Sequence, residues 1–286
     1  MIFDMNTVGQ MLLKFNTELN DDFSNREKKQ IGKLFMMDYM SYDGSELILN
    51  KNEQVPENIK NRVSTVITEI NNGTPVQYVL GASHFYGLEI KSDPRALIPR
   101  PETEELVDWI LKKWKDTNIN ILDVGTGSGC IALALKANLE NSRVTGVDVI
   151  QHALDLANEN AENLNLDVSF KFANAMNLSS FSSKKWDVIV SNPPYIPIEE
   201  ETEMQDNVIQ HEPKTALFVP NENPLIFYKA IGIYAKNHLN DGGSLYFEVH
   251  ENLAQLVKST LQKLGFSKIE VKKDLQDKER MIHAQL

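Results

Sequence analysis

Asn120-Ile121-Leu122-Asp123-Val124-Gly125-Thr126-Gly127-Ser128-Gly129-Cys130-Ile131-Ala132-Leu133-Ala134-Leu135 joins a strand pattern to a helix pattern through a glycine loop and so sets the α/β class of the chain. Its first five residues have the length and apolar character of a buried strand, and Ile131 to Leu135 continue as a helix after a loop rich in glycine. Glycine permits positive φ and close approach of the backbone to a ligand, and the helix that follows offers unpaired N–H groups at its start. The ligand stays open at this point, because Gly127, Gly129 and Ala132 also satisfy a loose G-x-G-x-x-A of the dinucleotide-binding kind.

Working outward, Pro101 is a favoured first helical residue, and from there strands and helices alternate to the carboxyl end. Strands are expected at 120–124, 143–148, 168–172, 187–191, 244–249, 268–272 and 281–285, and helices at 102–115, 129–139, 151–163, 224–238 and 251–264. That order predicts a mostly parallel sheet covered on both faces. Only the short polar stretch Lys273 to Arg280 separates the last two strands, so they should pair antiparallel. The segment from Ile196 to Asn223 has no strong helical period and is expected to form a cover or partner-facing loop, with an acidic run at Glu199, Glu200, Glu201 and Glu203.

Upstream, the chain reads as helices. Val8, Leu12, Phe15 and Leu19 share one face, and Ser24 with Glu27 makes a capping-box spacing ahead of Ile31, Leu34, Phe35 and Asp38. A third helix starts at Pro56, carries Ile59, Val63, Val66, Ile67 and Ile70, and stops at Asn72 and Gly73. A hairpin-like segment, His84 to Ile90 around Gly87, follows. The domain expectation is therefore a helical domain over 1–73, a hairpin linker over 74–100 and an α/β domain over 101–286.

Composition narrows the function. With 286 residues and 42% apolar side chains the chain can bury a sizeable core, and 29 basic against 40 acidic residues give a net charge of −11. Such acidity disfavours a surface that grips a nucleic-acid backbone. The single cysteine, Cys130, excludes an internal disulfide and fits a reducing compartment; the six histidines are scattered, and no metal is expected. The start Met1-Ile2-Phe3-Asp4 lacks a basic region and a long apolar run, which predicts a cytoplasmic protein without a membrane span.

Two further positions carry chemistry. Asp148 ends the second strand of the sheet, where a carboxylate suits the two hydroxyls of a ribose in either cofactor. Asp123, at the end of the first, favours a cationic sulfonium and an ammonium over a pyrophosphate. After the strand Trp186 to Ser191 come Asn192, Pro193, Pro194 and Tyr195, at the sheet end where open α/β sheets place their chemistry. The prolines fix φ and remove N–H donors, so the Asn192 side chain and nearby carbonyls can serve as acceptors for a substrate bearing an NH2 group.

Taken together, Pro75 to Gly81 with Phe85-Tyr86-Gly87, Leu97-Ile98-Pro99-Arg100-Pro101-Glu102-Thr103-Glu104, Gly125 to Gly129 and Asn192 to Tyr195 resemble the bacterial peptide chain release factor glutamine N5-methyltransferases. The resemblance implies a seven-stranded Rossmann-like class I methyltransferase sheet behind an amino-terminal helical domain that recognises substrate. It also implies S-adenosylmethionine as methyl donor and, as acceptor, the glutamine of the Gly-Gly-Gln motif in class 1 release factors. A monomer is expected, and the acidity of the chain argues against stable nucleic-acid binding. Carried over by position, Gly125, Thr126, Gly127, Ser128 and Gly129 wrap the methionine portion, Asp148 holds the ribose, and Asn174 and Ala175 contact adenine. Asn192 touches donor and acceptor, and Pro193, Pro194 and Tyr195 complete the acceptor side, with Asn192, Pro193 and Tyr195 as the catalytic set. Arg100 and Glu102 lie on a loop that the family folds towards the site. Asn-Pro-Pro-Tyr is shared with DNA and RNA amino-methyltransferases, which leaves an exocyclic base amine as the alternative acceptor. His211-Glu212-Pro213 stands where the family often has Tyr-Glu-Pro, and His250 where a glycine is common; Asp274, Leu275 and Arg280 match, without the intervening glycine.

Overall fold

The computed structural model describes residues 6–115, 117–181, 183–203 and 210–286. By packing, these fall into two compact units, one within Met1–Gly81 and Asp206–His211, the other within Ala82–Gln205 and Glu212–Leu286.

The first unit is helical: α1 (Val8–Glu18), α2 (Asn25–Met40), α3 (Gly44–Leu49), α4 (Glu57–Asn71) and α5 (Val76–Leu80). Three of these helices open with reciprocal caps, Thr7 with Gln10, Ser24 with Glu27 and Asp43 with Glu46, so each start is written locally. Val8, Met11, Phe15, Ile31, Phe35, Met36, Ile59, Val63, Val66, Ile67 and Ile70 form its core. Two faces are rotated from the sequence reading: Leu12 is half-buried and Asp38 exposed, while Met11 and Met36 are buried. The unbranched methionines fill the gap between helices that a charged residue cannot enter. The short helices α3 and α5 were not expected, being too brief for a periodic signal.

In the second unit the hairpin β1 (Ala82–Phe85) and β2 (Leu88–Lys91) buries Phe85 and Ile90 beside α6 (Pro101–Trp114). Then come β3 (Asn120–Val124), α7 (Cys130–Asn138), β4 (Arg143–Asp148), α8 (Gln151–Leu164), β5 (Ser169–Phe172), β6 (Trp186–Ser191) and the two-residue β7 (Ile196–Pro197) and β8 (Phe218–Val219). After the helix Ile226–His238 follow β9 (Leu239–Glu248), the helix Ala254–Leu264, β10 (Lys268–Lys273) and β11 (Glu279–Gln285).

The seven-stranded sheet runs β10-β11-β9-β6-β3-β4-β5. Its strands are parallel except β11, which is antiparallel to both β10 and β9, as the short connection requires. Alternation splits β3 between two cores: Leu122 and Val124 pack with Tyr228, Ile231, Val257 and Leu261, and Ile121 packs with Leu106, Ile110, Ile131 and Leu135. Strand β9 starts five residues before position 244, because Leu239 pairs with Trp186 across a register shift. Within 196–203 and 210–223 the chain holds more order than its sequence suggests. β7 and β8 pair in parallel, and a helical turn, Lys214–Leu217, lies between them. Its acidic run is partly absorbed by the fold, Glu201 pairing with Lys214 at 2.6 Å and Glu200 lying 3.6 Å from His250; the Glu203 side chain lies outside the described residues.

Candidate active site

The sheet order reverses between β3 and β6: from β3 the chain winds outward through β4 and β5, whereas β6 leads to β9 on the other side. A crevice opens at such a switch point because successive connections leave in opposite directions. Asp123 on β3 pairs in register with Val190 on β6, and Ser191 Oγ donates to the Val124 carbonyl at 2.6 Å. Gly125 and Asn192 therefore leave the sheet side by side. One cleft is lined by Gly125 to Ser128, Asp148, Asn174, Ala175 and Asn192 to Pro194, with Ile98, Arg100 and Thr103 from the segment leading into α6.

The glycine loop is shaped by its backbone. Gly125, Gly127 and Gly129 all have positive φ, at 74°, 55° and 83°. Gly125 and Thr126 N–H both donate to the Val147 carbonyl, at 2.8 and 3.0 Å, which ties the loop to the end of β4. Asp148 accepts from Gly127 N–H at 3.0 Å and from Ile150 N–H at 2.9 Å. A carboxylate has about four acceptor positions, so two remain for ribose hydroxyls. Burial raises the Asp148 carboxyl above its ordinary range, while these backbone bonds pull it down.

Asp123 lies beneath the loop, fully buried. Its Oδ2 accepts from Thr126 Oγ1 at 2.6 Å, and its Oδ1 has no hydrogen-bond partner among the described residues. Burial pushes it up to about 7 against the pull of the Thr126 bond. Fully buried behind the lining, this carboxyl acts on the cleft through its field, which favours a cationic group over an anionic one. The two arginines on the cleft wall are committed elsewhere, Arg95 to Asp93 and Glu159 and Arg100 to Glu212. The donor set thus fits a sulfonium carrying an amino-acid ammonium better than a pyrophosphate. Asn174 forms a turn at the end of β5, accepting from Met176 N–H at 2.8 Å, and with Ala175 it lines the far end.

On the other side, Asn192 Nδ2 donates to Thr103 Oγ1 at 3.3 Å, and Thr103 Oγ1 donates to Glu248 Oε2 at 2.6 Å. Tyr195 OH reaches Glu248 Oε1 at 3.4 Å, and Tyr228 OH donates to the Glu248 carbonyl at 3.1 Å. Glu248 is only 2% exposed, and burial pushes its carboxyl up to about 7 although Thr103 and Arg280 favour the charged form. Tyr195 packs against the core beside the cleft, and its hydroxyl is also raised by burial and by Glu248. The rim is closed by Glu212, whose side chain is 1% exposed. It ion-pairs with Arg100 and accepts from Ile98 N–H at 3.2 Å.

The family described as Methyltransferase small domain matches residues 103–217, and the PrmC N-terminal domain matches residues 10–81. A release factor glutamine methyltransferase of Bacteroides thetaiotaomicron is 35% identical over 93% of this chain and 95% of its own length. The same-named protein of Francisella tularensis is 34% identical over 98% of both chains. That of Streptococcus pneumoniae is 42% identical over 80% of this chain and 81% of its own. This chain belongs to the release factor glutamine methyltransferase family. It is a methyltransferase, and solved structures agree on the fold. A methyltransferase from Pyrococcus furiosus superposes with a TM-score of 0.54 at 21% identity, over 80% of this chain and 98% of that one. The hMettl16 catalytic domain superposes with a TM-score of 0.56 at 18% identity, over 80% and 81% of the two chains.

For this family member the cleft gathers Gly125 to Ser128, Asp148, Asn174, Ala175 and Asn192 to Pro194, with Gly129 capping α7 behind the loop and Tyr195 set back against Glu248. Arg100 reaches the cleft. Glu102 instead turns to Gln276, whose Nε2 donates to it at 3.4 Å. The thiol of Cys130 is pushed up to about 12 by burial, which keeps it protonated. His211 belongs to the other unit, and His250 stacks obliquely on Tyr195 with ring centroids 5.9 Å apart. Sequence reasoning missed Thr103 as an Asn192 partner and Glu248 as a buried carboxylate. A charged residue closing the otherwise apolar run Leu245-Tyr246-Phe247 was the available signal for the latter. Among the described residues no group of three or more His, Cys, Asp or Glu is placed to hold a metal ion, and no helix is long and apolar enough to cross a membrane.

Proposed function

We propose that the chain transfers the methyl group of S-adenosylmethionine to the side-chain amide nitrogen, N5, of the glutamine in the Gly-Gly-Gln motif of class 1 peptide chain release factors. The observation that carries this reading is the Asn192 amide, whose nitrogen donates to Thr103 beside the Gly125 loop and so turns its oxygen the other way as an acceptor. The release factor is the substrate on the strength of relatives named for it over nearly the whole chain. In this reading the helical unit recognises the factor, and the enzyme is a cytoplasmic monomer that forms no stable complex with nucleic acid.

When bound, S-adenosylmethionine supplies an electrophilic methyl on a positively charged sulfur. Gly125, Thr126, Gly127, Ser128 and Gly129 would wrap its methionine portion, Asp148 would hold its ribose, Asn174 and Ala175 would meet its adenine, and Asn192 would touch it from the acceptor side. A glutamine nitrogen is a poor nucleophile because its lone pair is delocalised; the related peptide resonance has a barrier of roughly 18 to 20 kcal/mol. Asn192 Oδ1 and the Pro193 carbonyl each accept one N–H of the amide. They orient the nitrogen towards the donor side of the cleft. Pro193 and Pro194 present no N–H of their own, so neither competes for those acceptors. Tyr195 backs the amide and keeps water from the Glu248 side. Alignment of two reactants contributes on the order of 7 to 11 kcal/mol, so the amide proton can leave after transfer without a strong base.

The test supplies labelled S-adenosylmethionine with intact release factor, a factor lacking the motif glutamine, and nucleic acid as a competing acceptor. Label is expected in the intact factor alone. Asn192→Ala should lower turnover at saturating donor by roughly a hundredfold or more, with any weakening of donor binding read separately as Kd. Near-normal turnover in that variant, or labelling of nucleic acid, overturns the reading.

A further inference from the structure

We infer that Thr103 and Glu248 are positioning residues that set which end of the Asn192 amide faces the acceptor. The inference deepens the proposed function and rests on it for its catalytic consequence. Thr103 sits in the first turn of α6 and Glu248 at the carboxyl end of β9, and both are 2% exposed. A threonine hydroxyl has one proton to give, whereas an ionised carboxylate can only accept. At 2.6 Å from Glu248 Oε2, that proton is committed to the carboxylate. Only lone pairs then remain to meet the Asn192 amide 3.3 Å away, and they match Nδ2 and repel Oδ1. The chain Asn192 to Thr103 to Glu248 therefore has one direction, and it turns Oδ1 away from Thr103 as the acceptor for a substrate N–H. Tyr195 OH on Oε1 and Tyr228 OH on the Glu248 carbonyl pin the far end. A valine fills the volume of Thr103 but carries no such polarity.

The direction depends on ionisation of Glu248. Arg280 on β11 favours its charged form, Glu102 on α6 opposes it, and Tyr195, Tyr228 and Cys130 present neutral groups from the Asn-Pro-Pro-Tyr turn, the helix Ile226–His238 and α7. Burial wins and pushes the carboxyl up to about 7. Once protonated, Glu248 can donate to Thr103, whose own proton is then released towards Asn192, and the amide accepts the flipped orientation. Transfer should therefore hold above about 7 and fall below it.

The experiment uses the full chain with Thr103→Val, Thr103→Ser and Glu248→Gln. Side-chain amide protons of Asn192, assigned by their loss in Asn192→Ala, are followed by NMR together with kcat, KM and donor Kd across pH. Thr103→Val should expose the Asn192 amide protons to rapid exchange and lower kcat by roughly ten- to a hundredfold, with donor Kd within about threefold. Thr103→Ser should recover kcat to within a few-fold, and Glu248→Gln should remove the pH dependence of the Asn192 amide-proton shifts near pH 7, a readout local to this hydrogen-bond chain that titration of Asp123 beneath the glycine loop does not supply. Unchanged Asn192 exchange and kcat in Thr103→Val overturn the inference, as does equal loss in Thr103→Val and Thr103→Ser. Amide-proton shifts of Asn192 that still titrate near pH 7 in Glu248→Gln remove Glu248 from the chain. The exchange measurement needs no acceptor, so a wild-type enzyme that fails to methylate the factor refutes the proposed function while the orientation of Asn192 is still decided.

Discussion

Gly129 and Gly125 both sit in left-handed backbone, but their surroundings differ. A Cβ on Gly129 would lie 2.8 Å from the Phe170 ring and 3.2 Å from Ala157, whereas one on Gly125 meets nothing within 4 Å. Left-handed geometry alone costs an ordinary residue roughly 1 to 2 kcal/mol. Overpacking against the half-buried Phe170 ring and Ala157 adds up to about 1 to 3 kcal/mol. Gly129→Ala should thus lower the thermal midpoint clearly more than Gly125→Ala, as scanning calorimetry can compare. Equal midpoints would mean that Phe170 yields freely. At this scale the glycine loop was legible in the sequence because glycine's use is local. The burial of Asp123 and its Thr126 bond were partly so, three residues apart in one turn.

At the scale of elements, the segment before α6 and the turn at Pro213 are held together by one carboxylate. Glu212 accepts from Ile98 N–H and pairs with Arg100, although the two partners lie more than a hundred residues from it. Glu212→Gln keeps the shape but removes the charge from a bond worth roughly 1.5 to 3 kcal/mol, less what solvent screens at the half-buried Arg100. The expected result is a modest fall in thermal midpoint and a donor KM raised several-fold, with kcat changed less. Unchanged donor KM would show that this wall does not shape the cleft. The sequence placed the strands and helices of the α/β unit within a few residues, since period and turn chemistry are local signals. It placed β9 five residues late because Asn240-Asp241-Gly242-Gly243 reads as a turn; the pairing with β6 starts at Leu239, skips these four residues at a register shift and resumes at Ser244.

For the whole molecule, each unit has its own apolar core, and each can be treated as a folding unit. Removing residues 1–81 leaves the hairpin, which packs with α6, and the whole sheet. If the helical unit recognises the release factor, the shortened chain should methylate a free Gly-Gly-Gln peptide within about threefold of the full chain. It should lose roughly tenfold or more in kcat/KM on the intact factor, equivalent to about 1.4 kcal/mol of binding. Equal losses on both acceptors would assign the helices a bracing role.

The sequence by itself determined the element order, the glycine loop after β3, Asp148 at the end of β4 and the acceptor turn after β6, because each is written in neighbouring residues. Only the tertiary structure decided that Thr103 and Glu248, 145 residues apart, stand behind Asn192, and that Glu212 holds Arg100. Which strand ends lie side by side is settled by sheet order and core packing. A polar side chain's partner across them has no local signal to read.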